Sequence, residues 1–343
     1  MGPTEIDSAG GSAANSSSQN PRGRGRLVKS NSVVALPFAT ALLAVALWAN
    51  PARADKIAEY TTSGTSVNAS LGTFGGAQGL FGAVNDITVS GSHIFVANLG
   101  PPWQSYGSIS EFTTSGTVVN YSLVSGLAGP GAITASGSDL FEVNYFNGTV
   151  GEYTTSGTTV NASLITGLGT VGAWDIAASG SDLFIATGTG SIEEYTTSGT
   201  LVNSSFISIP TGSYGMAVSG SDLYVVNYGA GTISEYTTAG SVVNASLVTG
   251  LNDPLGIAVA GSDLFVMDHG GENIAEYTTA GALVNAVLIP PGYGPVYSEG
   301  IATSGSDLFD AQYVLPEPST CVMFALGAVA LAAAGLRRRH VGA

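Results

Sequence analysis

Asp253-Pro254-Leu255-Gly256-Ile257-Ala258-Val259-Ala260-Gly261-Ser262-Asp263-Leu264-Phe265-Val266-Met267-Asp268 is the stretch on which the fold turns, because the body of the chain is built from copies of it. After a short Gly-rich gap it continues as Asn273-Ile274-Ala275-Glu276-Tyr277-Thr278-Thr279-Ala280-Gly281, then Leu283-Val284-Asn285-Ala286-Val287-Leu288. Each segment alternates or runs apolar for a few residues and stops at a Gly-containing turn, the pattern of short β-strands.

The Glu-aromatic pair recurs at Glu59-Tyr60, Glu111-Phe112, Glu152-Tyr153, Glu194-Tyr195, Glu235-Tyr236 and Glu276-Tyr277. Its first interval is 52 residues and the later ones are 41 or 42. A second landmark, Gly-Ser-Asp-Leu-aromatic, begins at Gly137, Gly180, Gly220, Gly261 and Gly305, with Gly91-Ser92-His93-Ile94-Phe95 as a variant. Four strands of about six residues joined by turns of about four need roughly 40 residues. That is the period of one four-stranded propeller blade.

Let a and b be the strands before and after the Gly-Ser-Asp turn, c the Glu-Tyr strand and d the Val-Asn-Ala-Ser-Leu strand. The chain opens with c and d (57–71), runs through five complete sets and stops after a and b (299–313). An open sheet edge exposes unpaired N–H and C=O groups, so complementary half-blades at the two ends imply that they pair. The expectation is an all-β, six-bladed β-propeller over 55–314, closed two strands by two, with a C-terminal transmembrane helix after it.

Charged residues are 10% of the 343-residue chain, against a usual quarter, and 48 residues are Gly. All nine Lys and Arg lie outside the repeats; residues 57–315 contain none, against twenty Asp and Glu. Such a body repels phosphate backbones, which excludes nucleic acid as a partner. Its stability has to come from packing and ladders, and its net charge of −15 serves solubility. The single cysteine, Cys321, lies in the tail, so neither an internal disulfide nor a thiolate site in the body is available.

Residues 1–54 read as a polar lead and a signal peptide: basic positions at 22–29, an apolar run over 33–48, then Ala52-Arg53-Ala54 as the cleavage site. At the other end, Pro316-Glu317-Pro318, an apolar run over 321–336 and Arg337-Arg338-Arg339 follow in order. This end (315–343) resembles the PEP-CTERM sorting signal of exopolysaccharide-producing Gram-negative bacteria. The resemblance implies an exosortase-type membrane protease as a processing partner, cutting near the motif. A 16-residue run spans about 24 Å, slightly short for a ~30 Å bilayer core, which suits a temporary anchor. The arginines place the C-terminus in the cytoplasm and the body outside, in the cell envelope or beyond. A permanent tail anchor is the alternative.

The body resembles six-bladed propellers of the NHL and gluconolactonase-like superfamily, on the residues quoted at the outset. It departs from them in three ways. The basic residues common in NHL strands are missing. No Glu near the start of the body stands in the setting where gluconolactonase-like enzymes place a metal ligand. The related lyases rely on a histidine pair, whereas the body holds only His93 and His269.

Acids that recur from blade to blade, such as Asp139, Asp182, Asp222, Asp263 and Asp307 in five of the six copies, serve the fold, because Asp bonds turn backbone. The ends of strand b are more varied: Asn98, Asn144, Thr187, Asn227, Asp268 and Gln312, followed by Leu99, Tyr145, Gly188, Tyr228, His269 and Tyr313. They lead into b–c loops, which surround the central channel in propellers. This ring is either a hydrated rim of turn-forming residues or a cradle for a hard cation such as Ca²⁺, with Asp268, Asn144 and Asn227 as oxygen donors. Asp268 and His269 are the candidates for general acid–base chemistry. The loop over 99–106, with Trp103, is an insertion. Asn98, Trp103, Asn144, Tyr145, Asn227, Tyr228, Asp268 and Gln312 form the expected ligand-binding face, with Trp103 and the tyrosines supplying aromatic surface for sugars or peptides.

Two functions follow as expectations. One is a non-enzymatic exported protein presenting its b–c loops to exopolysaccharide or envelope proteins. The other is a metal-dependent envelope hydrolase or lyase using Asp268.

Overall fold

The computed structural model describes residues 55–74, 84–99, 106–169, 172–290 and 296–314. The expected signal peptide with Ala52 and Ala54, the Pro316-Glu317-Pro318 motif, the expected transmembrane helix and Trp103 lie outside the described residues. Among those described, no helix is long and apolar enough to cross a membrane.

The repeats fold into six four-stranded antiparallel sheets, each one blade of a propeller. Blade 1 takes strand a from Val296–Ser304 and b from Asp307–Val314, and its c and d from Asp55–Thr61 and Ser66–Phe74. In order a to d, blade 2 is Val84–Ser90, His93–Asn98, Gly107–Thr113 and Val118–Leu127; blade 3 is Pro130–Ser136, Asp139–Asn144, Thr149–Thr154 and Thr159–Thr166. Blade 4 is Ala173–Ser179, Asp182–Thr187, Ser191–Thr196 and Leu201–Ser208. Blade 5 is Ser213–Ser219, Asp222–Asn227, Thr232–Thr237 and Val242–Thr249; blade 6 is Pro254–Ala260, Asp263–Asp268, Asn273–Thr278 and Leu283–Ile289. Blade 1 is sealed by an antiparallel ladder from Lys56↔Gln312 to Thr61↔Asp307, as the half-blades at the ends of the repeat array require.

Each piece of the repeat has a structural reason. The aromatic of Gly-Ser-Asp-Leu-aromatic is Phe95, Phe141, Phe184, Tyr224, Phe265 or Phe309, and all six are at most 2% exposed. They sit in apolar layers between neighbouring blades: Phe141 and Val143 of blade 3, for example, share a layer with Ile176 and Leu183 of blade 4. Burying each such ring is worth on the order of 1.5–3 kcal/mol. The Gly-Ser pair makes a two-residue a–b hairpin whose Gly has φ of 60–61°, as a type II′ turn requires. The Asp after it opens strand b rather than occupying the turn, and four of the five accept from the preceding Ser hydroxyl at 3.3–3.5 Å. The strand d Asn bonds the amide two residues on, as Asn161 does with Ser163 at 3.1 Å, where the ladder slips register. That slip disrupts the outer edge of each blade.

The c–d turn docks each blade onto the one before it. A Cβ on Gly199, at φ 81°, would lie 2.7 Å from the Leu164 carbonyl of blade 3. Gly64 stands in the same relation to Leu288, joining blade 1 to blade 6. The inner strands a of adjacent blades abut all the way round. They enclose a channel of about 620 Å³.

Candidate functional site at the channel mouth

Every strand a skips register near its start, for example between Ala173 and Asp175 and between Ser213 and Met216. Such a bulge re-aims the extra residue. In blades 4 and 5 the residues at this skip are Trp174 and Tyr214, and both line the channel. They join the b–c loop residues of blades 3 and 5 in one row of rings. Centroid separations are 5.9 Å for Phe146–Tyr145, 5.5 Å for Tyr145–Trp174, 4.8 Å for Trp174–Tyr214 and 5.2 Å for Tyr214–Tyr228. Gly172 makes room for the Tyr145 ring, since a Cβ there would lie 2.8 Å from it. Burial raises the Tyr214 phenol above its ordinary pKa, and the neighbouring Tyr228 and Tyr145 phenols add to that.

One residue further along strand a stand two carboxylates. Asp86 of blade 2 accepts from the Ile87 amide and from the Ile133 amide of blade 3, each at 2.8 Å. Asp175 of blade 4 accepts from the Ile176 amide at 2.7 Å and from the Met216 amide of blade 5. Each therefore caps an inner-edge N–H of the next blade. The aligned positions elsewhere are Ala132, Gly215, Gly256 and Gly300. Burial, then the like charge of Asp86, push the Asp175 carboxyl well above the usual range; its two backbone contacts oppose that rise.

The strand b ends depart from the expected polar rim. Asn98, Asn144, Asn227 and Gln312 are 0–5% exposed. Asn98 donates to the Ser110 hydroxyl at 2.8 Å, and Ser110 donates to the Tyr121 carbonyl. Asn227 does the same through Ser234 to the Ala245 carbonyl. Asn144 donates to Glu142 at 2.7 Å and accepts from the Ala128 amide, and Gln312 donates to Asp310. Strand alternation is the reason: these side chains share a face with the buried residue two before them, so they turn into their own blades. The expected cradle of amide oxygens around the channel, with Asn144, Asn227 and Asp268 as donors, is therefore not assembled. Among the described residues no three His, Cys, Asp or Glu stand together as a metal site.

Asp268 accepts from the Asn252 amide at 2.7 Å and does not line the channel. Burial raises its pKa; the Asn252 contact opposes this, Asp253 adds to it and His269 lowers it. His269 opens a 3₁₀ turn, His269–Gly271. Of the sequence-derived ligand face, the structure brings Tyr145 and Tyr228 together with Trp174, Tyr214, Asp86 and Asp175, which the sequence reading did not single out.

A six-bladed propeller with an aromatic row and paired carboxylates at its channel is the class the geometry defines. No protein-family model matches the sequence, and no curated protein matches it. Similar solved structures include a gluconolactonase from Xanthomonas campestris, with 12% identity, TM-score 0.52, and 68% of this chain and 88% of that one covered. The calcium-binding protein regucalcin from Agrobacterium tumefaciens matches with 13% identity, TM-score 0.50, and 69% and 92% covered. A nidogen/laminin complex matches with 13% identity, TM-score 0.51, and 69% and 91% covered. At these identities the likeness is one of fold.

Proposed function

We propose that this chain is an exported propeller that binds a small ligand or a polymer segment at its channel mouth, without turning it over. The observation that carries the reading is the continuous row from Phe146 to Tyr228 beside a channel of about 620 Å³, within the usual size of a ligand pocket. Exopolysaccharide and envelope proteins are the partners that the leader and the Pro316-Glu317-Pro318 tail favour, with an exosortase-type protease processing the tail. Screening the full chain on an array of neutral and charged glycans tests the binding half; silence across the array, together with no change on Trp174→Ala, contradicts it. Mass spectrometry of the mature protein from its native host tests the sorting half, which fails if residues 315–343 remain attached.

One observation favours a second reading, a metal-dependent envelope hydrolase or lyase. Asp86 and Asp175 both line the channel, and the like charge of Asp86 adds to the burial that raises the Asp175 carboxyl, an arrangement suited to acid–base chemistry. Calcium or magnesium should then raise the melting temperature of the wild type but not of Asp175→Asn.

A further inference from the structure

Ligand class is encoded in what the row of rings stands next to. Trp174 and Asp175 are consecutive, and both line the channel with Tyr145, Tyr214 and Asp86. An aromatic wall alone accepts a neutral sugar or an apolar group equally well. Two carboxylates beside it change the selection, because residues 57–315 supply no Lys or Arg to neutralise them. Asp175 keeps two backbone amide contacts, which hold its carboxylate in place without cancelling its charge. Ring faces attract cations through their quadrupole, and a cation lodged between rings and carboxylates satisfies both at once. The field of a chain with net charge −15 adds long-range attraction of the same sign.

We propose that the channel mouth selects a ligand bearing an alkylammonium group, held by the faces of Tyr145, Trp174 and Tyr214 and by the carboxylates of Asp86 and Asp175. The assignment rests on reading the mouth as a binding site. It names the charge of the occupant, which an aromatic row alone leaves open. Because the cation stabilises the ionised form of Asp175, binding releases a proton from the protein, and affinity for a permanently charged ligand rises with pH.

Isothermal titration calorimetry on the full chain tests this with matched probes. Choline is compared with its uncharged tert-butyl isostere, and a glucosamine tetramer with its N-acetylated twin. Choline should bind more tightly at pH 8 than at pH 5, and the isostere at least about tenfold more weakly, the size of a desolvated cation–π contact. Trp174→Ala and Asp175→Asn should each weaken choline by about tenfold, with far-UV circular dichroism confirming the fold; Tyr214→Ala serves if Asp175→Asn does not fold. A glucosamine tetramer that outbinds its N-acetylated twin identifies a polymer source for the ammonium group, and choline alone identifies a small-molecule source. If the neutral twins bind as well as the cations, the charge assignment is overturned while the binding reading stands. If neither cations nor any arrayed glycan bind, both fall.

Discussion

Glu142 occupies a position that Val96, Ile185, Val225 and Val266 hold in four other blades. It is 0% exposed, and its Oε1 has no hydrogen-bond partner. Burial raises its pKa well above the carboxylate range, with the Asn144 contact opposing the rise. The sign then follows: the protonated acid is the form that fits the fold, so its contribution is intact below the ordinary carboxylate pKa and is lost as pH rises through the raised value. The melting temperature of the wild type should fall between pH 5 and pH 8, and Glu142→Gln should flatten that fall, being about 1–2 kcal/mol more stable than wild type at pH 8. Thermal unfolding at several pH values reads this, and parallel curves for the two proteins contradict it. Backbone strain marks another residue. Glu272, at φ 52°, stands where Gly148 and Gly231 have φ 62°, so Glu272→Gly should raise the urea midpoint, by about 0.5–1 kcal/mol in stability. At this scale the sequence conceals the site: Trp174 and Tyr214 differ from their counterparts in the other blades, and Asp175 is matched only by Asp86, so no repeat advertised them. The visible signal was that variation itself, at a point flanked by repeating residues.

Turns and bulges carry the repeat at the level of the strand. Five of the six c–d turn glycines are fixed twice, by positive φ and by a neighbouring leucine carbonyl, and Gly240 by φ and the Phe206 ring, whereas the a–b turn glycines are fixed by φ alone. A Cβ on Gly220, at φ 61°, meets nothing within 4 Å. Gly199→Ala should therefore cost about 2–3 kcal/mol and Gly220→Ala about 1 kcal/mol, compared by chemical denaturation; equal losses would show that docking of the turn adds nothing. The strands and their order were legible because period-2 patterning and turn glycines are local properties. The inward turn of Asn98 and Asn227 was not, since it depends on a serine across the ladder, Ser110 or Ser234, that a linear reading does not pair with them. The slip near the start of each strand a was equally hidden, and it is what sets the rings around the opening.

For the molecule as a whole, closure decides cooperativity. The ring was legible from half-blades at the two ends of the repeat array, a statement about order along the chain that survives any error at the level of residues. Deleting 55–74 removes two strands of blade 1 and exposes the edge of Asp307–Val314, so the melting temperature should drop by more than about 10 °C. A truncated protein that melts as a single sharp transition near the wild-type temperature would show that the seal is dispensable. The seal has a further consequence. Asp55 opens strand c and Val314 ends strand b, and Lys56 pairs with Gln312, so both ends of the ring emerge on the side of the b–c loops. A tether attached at either end of the ring would therefore pull from the face that carries the rings and acids.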